Sequence, residues 1–153
     1  MADWFAGAAE RFKKQESVTQ ARIARSAQEG HILNEQSPVL WSELVLWLRS
    51  QIKQFNEAVG REIFTPSILN AAKCNVFAKS EAGQRDASVE FDRAEHSITC
   101  IASDHVTGAH LKTEQWLMRV LADNSMVCIT LDGAKVSLET IGENILNTLL
   151  GWK

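Results

Sequence analysis

An α+β fold is predicted by three features of the chain. Apolar residues recur at three- and four-residue steps across 38–59, short alternating segments follow one another from 73 to 131, and a second stripe of helical spacing lies at 138–150. Their order predicts an N-terminal helical arm, a long amphipathic helix, an antiparallel β-meander of about five to six strands and a short C-terminal helix. Residues 37–153 read as one α+β domain, and 1–36 as a helical arm or mobile tail ahead of it.

The arm opens with Trp4, Phe5, Ala8, Ala9 and Phe12 at helical spacing, close to Arg11, Lys13 and Lys14. Beyond Phe12 the large apolar residues up to Gly30 are only Val18 and Ile23. Five basic and three acidic side chains give residues 1–25 a net charge of +2, which leaves −5 for 26–153 out of the total of −3. Such a segment is helical by propensity but lacks a continuous face to fix it on a core. Gly30, before His31, Ile32 and Leu33, reads as a helix stop.

Ser37 is placed to cap the next helix, with Pro38 at its first position, where a missing N–H costs nothing. Trp41, Val45, Leu48, Ile52, Phe55 and Val59 form its stripe, which Leu40, Leu44 and Trp47 widen. Ser42, Glu43, Arg49, Gln51, Lys53 and Gln54 fill the opposite face, and Gly60 supplies the left-handed residue that ends a helix. So wide an apolar face requires a large cover. The rest of the chain is the candidate for it.

Residues 61–70, with Pro66, read as a connection carrying Ile63, Phe64, Ile68 and Leu69 back toward that helix. Strand alternation then begins, with Cys74, Val76 and Ala78 on one face and Phe77 as the exception. A polar turn at 81–86 leads to a strand with Val89 and Phe91 inward. Residues 93–96 turn the chain into a strand burying Ile98, Cys100 and Ala102. The stretch 113–122 fits either state, and the turn at 123–125 before Met126 favours a hairpin, so a strand is predicted. Were 113–122 helical, the element order would resemble the small acidic secretion-chaperone folds, which are dimers that hold unfolded segments of partners. Asp132 and Gly133 mark a tight turn. Ser137 or Thr140 caps the last helix, whose stripe is Leu138, Ile141, Ile145, Leu146, Leu149 and Leu150, closed by Gly151.

For function, exclusion comes first. With −3 overall there is no basic field to recruit nucleic acid, and the strands lack basic residues interleaved with aromatics. There is no G-x-G-x-x-G, no phosphate-binding loop and no G-x-S-x-G, so no cofactor and no catalytic residue is assigned. His96, Cys100, His105 and His110 lie within fifteen residues, but their four- and five-residue steps do not bring ligands to a tetrahedral point. No metal site is assigned. Cys74, Cys100 and Cys128 are odd in number and widely spaced, which predicts buried free thiols and a cytoplasmic setting. No apolar run approaches the ~20 residues of a membrane span, and the first residues do not resemble a signal peptide.

The expected function is therefore a non-enzymatic interaction or adaptor module, a homo-oligomer or the holder of a protein partner. Trp is suited to interfaces because its rings favour burial while its N–H needs a partner. The candidate interaction residues are Trp4, Phe5, Phe12, Trp47 and Trp152. The aromatic and basic residues of 1–14 also suit a membrane surface, as a weaker alternative. The rival expectation is a small-molecule-binding domain or enzyme with a pocket between the sheet and helix 38–59, its rim formed by His96, Asp104 and His110.

Overall fold

The computed structural model describes residues 3–152. Its elements are α1 (Asp3–Val59), β1 (Phe64–Asn70), β2 (Lys73–Ser80), β3 (Gly83–Asp92), β4 (Ser97–Asp104), β5 (His110–Val120), β6 (Met126–Ile129), β7 (Lys135–Val136) and α2 (Leu138–Leu150). The seven strands form one antiparallel meander in which each pairs with its neighbours in the chain. This is the α+β architecture expected from the sequence, with a strand more than expected. Residues 113–122, read as strand, fall largely in β5. The condition for the chaperone-like element order is therefore not met.

Register sets the two faces of the sheet. Cys74 lies opposite Val89, and Val89 opposite Cys100; Val76, Ala87 and Ala102 form the next such row. These side chains, with Ala78, Phe91, Ile98, Trp116, Met118 and Cys128, are buried beneath α1 and α2. The opposite face carries Asn75, Ser88, Thr99 and Gln115, all at least partly exposed. The helices supply Trp41, Leu44, Leu48 and Ile52 from α1 and Ile141, Ile145 and Leu149 from α2. Trp41 is fixed twice, its ring stacked on Phe91 at 6.0 Å and its indole N–H donating to the Ala71 carbonyl at 2.9 Å.

The three helix ends in the body follow the local chemistry. Gly60, at φ 84°, closes α1, and the N–H groups of Gly60 and Arg61 both donate to the Asn56 carbonyl. Ser137 caps α2 by accepting from the Thr140 N–H, and Gly151 at φ 74° closes it.

Three expectations change. Helix α1 is continuous over 57 residues, about 85 Å long, so Gly30 does not stop it and Ser37 does not cap a second helix. Ser37 is instead a buried residue inside α1, 3.4 Å from the His96 ring. Contacts to the body outweigh the local stop signals. Arg25 donates to the Leu121 carbonyl and the Asn124 side chain, and Leu33 packs on the core, so the helix is already held ahead of Pro38. Second, the supposed connection at 61–70 is largely β1, an edge strand; Pro66 is tolerated there because its missing N–H faces no neighbouring strand. Third, Val59, placed in the buried stripe, is exposed, in the wall of a surface depression that it lines with Ile63, Ser80 and Trp152.

Candidate interaction surfaces

The two ends of α1 present different surfaces. From 3 to 24 every side chain is exposed except Ala8, which is half-buried. Trp4, Phe5 and Phe12 are 77%, 66% and 65% exposed, an unusual state for three aromatics on one helix. At ~100° per residue, Trp4, Phe5, Ala8, Phe12 and Ile23 fall within about 60° of the line through Leu44. The face that forms the core over 41–52 thus continues in phase along the arm, where none of the described residues covers it.

At the other end, a furrow of about 820 Å³ lies between the last turns of α1 and the edge strand β1, lined by Leu46, Arg49, Lys53, Arg61, Phe64 and Pro66 among others. It continues past Leu46 and Arg49 into a second depression of about 280 Å³ lined by Trp41, Ile68 and Ala71. Leu46 and Ile68 are exposed there. Sequence reading missed this surface. The sequence pattern puts Arg49 and Lys53 on the polar face of the helix and Pro66 in a connection, and nothing in it sets them side by side.

The five residues expected at an interface separate into two groups. Trp4, Phe5 and Phe12 lie on the arm. Trp47 and Trp152 come together at the other end of the molecule, where they line a notch of about 150 Å³ with Phe55, Leu146 and Leu150. Trp4 and Trp47 are about 65 Å apart along the helix. Trp47 is half-buried against α2, while Trp152 is exposed.

Of the three residues expected at a pocket rim, Asp104 and His110 lie together at one end of the β4–β5 hairpin, where Ser103 pairs with His110, and His96 lies beyond the other end of β4. His96, at φ 51° in the β3–β4 turn, faces Ser37 of α1, and its carbonyl accepts from the Met118 N–H. Asp104 organises the β4–β5 loop: the Thr107 and Val106 N–H groups donate to its carboxylate, and the first of these does most to hold its pKa below the usual value. His110 is exposed and pairs with the Thr113 hydroxyl at 2.6 Å. Against α2 the sheet leaves a cavity of only about 10 Å³, lined by Cys100, Lys112, Glu114 and Trp116 among others. His105, the fourth member of the histidine–cysteine cluster, pairs with Asp86 and meets the Phe77 ring edge-on. The cluster is therefore dispersed over a helix contact, the core and the polar sheet face.

No helix among the described residues is long and apolar enough to cross a membrane. Set beside protein-family models, curated proteins and solved structures, the chain matches none.

Proposed function

We propose that the chain is a non-enzymatic interaction module that self-associates through its N-terminal arm. One observation carries this reading: the apolar face of α1 leaves the body in phase and ends in Trp4, Phe5 and Phe12, each about two-thirds or more exposed. Aromatic side chains bury ~150–250 Å² each, so six from two paired arms remove on the order of 600–1,000 Å² from water. Val18 and Ile23, also exposed, bring the total toward the ~1,200 Å² of a stable interface. A cytoplasmic setting goes with this reading, supported by the three buried, unbridged cysteines. The rival pocket reading has less support. The furrow is open along its length, whereas small-molecule sites enclose most of the ligand.

The test is the solution mass of the full chain by light scattering, beside a variant carrying Trp4→Ser, Phe5→Ser and Phe12→Ser. The parent is expected to be a dimer or larger and the variant a monomer of unchanged melting temperature. A monomeric parent, or a variant of unchanged mass, overturns the arm as an assembly device.

A further inference from the structure

We propose that the furrow between α1 and β1 is a docking site for an acidic amphipathic helix of a partner protein. It is a different surface from the arm, and the argument does not depend on self-association.

Charge is the first ground. Arg49, Lys53 and Arg61 line the furrow, and among the described residues none of them takes part in an ion pair. Arg49 and Lys53 stand one helical turn apart, so their like charges repel and destabilise α1 slightly. Residues 26–153 carry −5 overall, yet three cations line this one furrow. Two carboxylates also line it. Glu62 accepts from the Thr65 hydroxyl, and Glu57 adds the second negative charge. The balance at the furrow is positive.

Shape is the second ground. Exposed Leu46 and Pro66 flank the cations, the buried Ile52 and Phe64 lie beneath them, and the trough continues to exposed Ile68. An occupant must offer apolar groups to the trough and carboxylates to its α1 wall. The furrow is too open to enclose a small molecule.

The edge of β1 decides the conformation of the occupant. A strand cannot add there in register. The Asn56 side chain already takes the Phe64 N–H and donates to the Phe64 carbonyl, and Pro66, two residues on, has no N–H. Side chains therefore make the contact, as when a helix lies in a groove. From Arg49 to the end of α1 at Val59 the wall is about 15 Å long, matching about three helical turns. Acidic residues at i and i+4 would meet Arg49 and Lys53. The basic arm of a second copy is a poor occupant by the same charge argument.

The experiment uses the full chain and a fluorescent synthetic helix of four turns, with Leu along one face and Glu at i, i+4 positions beside it. Binding is read by anisotropy at low and physiological salt, against the same peptide with Lys for Glu and against vesicles of anionic phospholipid. The Glu peptide is expected to bind and the Lys peptide not to. Charge reversal by Arg49→Glu, Lys53→Glu and Arg61→Glu should weaken binding roughly tenfold to a hundredfold, and Leu46→Ser should also weaken it. These positions lie at the surface, and circular dichroism verifies that each variant keeps its fold. The Trp4, Phe5 and Phe12 serine variant is expected to bind as the parent does, so failure of the arm reading leaves this result intact. Equal binding of both peptides, an unaffected charge-reversed variant, or no binding at about 1 mM peptide overturns the proposal. Vesicle binding abolished by the charge reversal would overturn it in favour of a lipid surface.

Discussion

The six-membered ring of Trp47 occupies the space into which a side chain at Gly142 would project. A Cβ built on Gly142 would come closer to two carbons of that ring than real Cβ atoms come to their neighbours. The contact lets the Trp47 ring of α1 lie directly on the α2 backbone at Gly142. Gly142, buried and free of unusual φ, is there for space and not for backbone freedom.

Gly142→Ala is therefore expected to destabilise the domain by about 1–3 kcal/mol through overpacking, although alanine is the better helix former by about 1 kcal/mol. Urea denaturation measures it. Combined with Trp47→Leu, the substitution should cost less than it does alone, since the colliding ring is gone. A Gly142→Ala protein more stable than its parent would show that the ring has room to move.

Asn56 acts as a substitute strand at the edge of the sheet. Its side-chain Oδ1 accepts from the Ile63 and Phe64 N–H groups at 2.9 and 3.1 Å, and its side-chain amide donates to the Phe64 carbonyl at 2.9 Å. Asn56→Ala leaves three backbone groups without these partners, at a cost of about 1–3 kcal/mol. The melting temperature is expected to fall by several degrees. Asn56→Asp, which keeps the acceptor and loses the donor, should fall between variant and parent. A parent-like melt of Asn56→Ala would mean that water replaces the amide fully.

The buried thiols set an alkaline limit on stability. Burial pushes Cys74 and Cys128 up to about 11 and Cys100 to about 12, with the Glu114 carboxylate adding to the last. Unfolded thiols ionise near 9.0, so above that pH the unfolded chain has lost protons that the folded chain retains. Stability contributed by the neutral thiols is complete below pH 9.0 and falls as pH rises toward 11–12. Denaturation midpoints followed upward from about pH 8 are expected to decline above the unfolded pKa. A variant with alanine at all three positions should lose that part of the decline. An equal slope in the variant would assign it to other groups.

The core was legible because its side chains repeat with the period of their element. Trp41, Leu44, Leu48 and Ile52 follow one side of a helix, and Cys74, Val76 and Ala78 alternate on a strand, so a one-dimensional pattern reports a two-dimensional face. β1 has no such pattern. Six of its seven residues are exposed, and an edge strand held on one side only has no burial alternation to betray it. The continuity of α1 was hidden for another reason. Gly30, Ser37 and Pro38 are sound local stop signals, and what overrides them are contacts from residues almost a hundred positions away. The furrow was hidden because its two walls come from different elements. Arg49 and Lys53 look solvated on a helical wheel, and only the position of β1 turns that face into one side of a trough.

Arg25 is the residue on which the direction of the arm depends. Its guanidinium donates to the Leu121 carbonyl at 2.8 Å and the Asn124 side chain at 2.5 Å, while its Nε–H donates to Glu29 at 2.9 Å. Asn124 sits at φ 66° in the β5–β6 turn, a conformation that asparagine tolerates better than most residues. One planar cation thus joins the helix to a loop 96 to 99 residues away, a geometry that lysine cannot reproduce. Arg25→Ala and Arg25→Lys are both expected to loosen α1 ahead of Leu33, and only there, because Leu44, Leu48 and Ile52 remain in the core. Hydrogen exchange at residues 25–33 should accelerate while 41–52 keep the protection of the parent. The global cost should be only about 1 kcal/mol, since the contacts are partly exposed. If protection were lost along the whole helix, the clasp would be holding the body together. If it were lost nowhere, packing of Leu33 on the core would be enough to hold the helix.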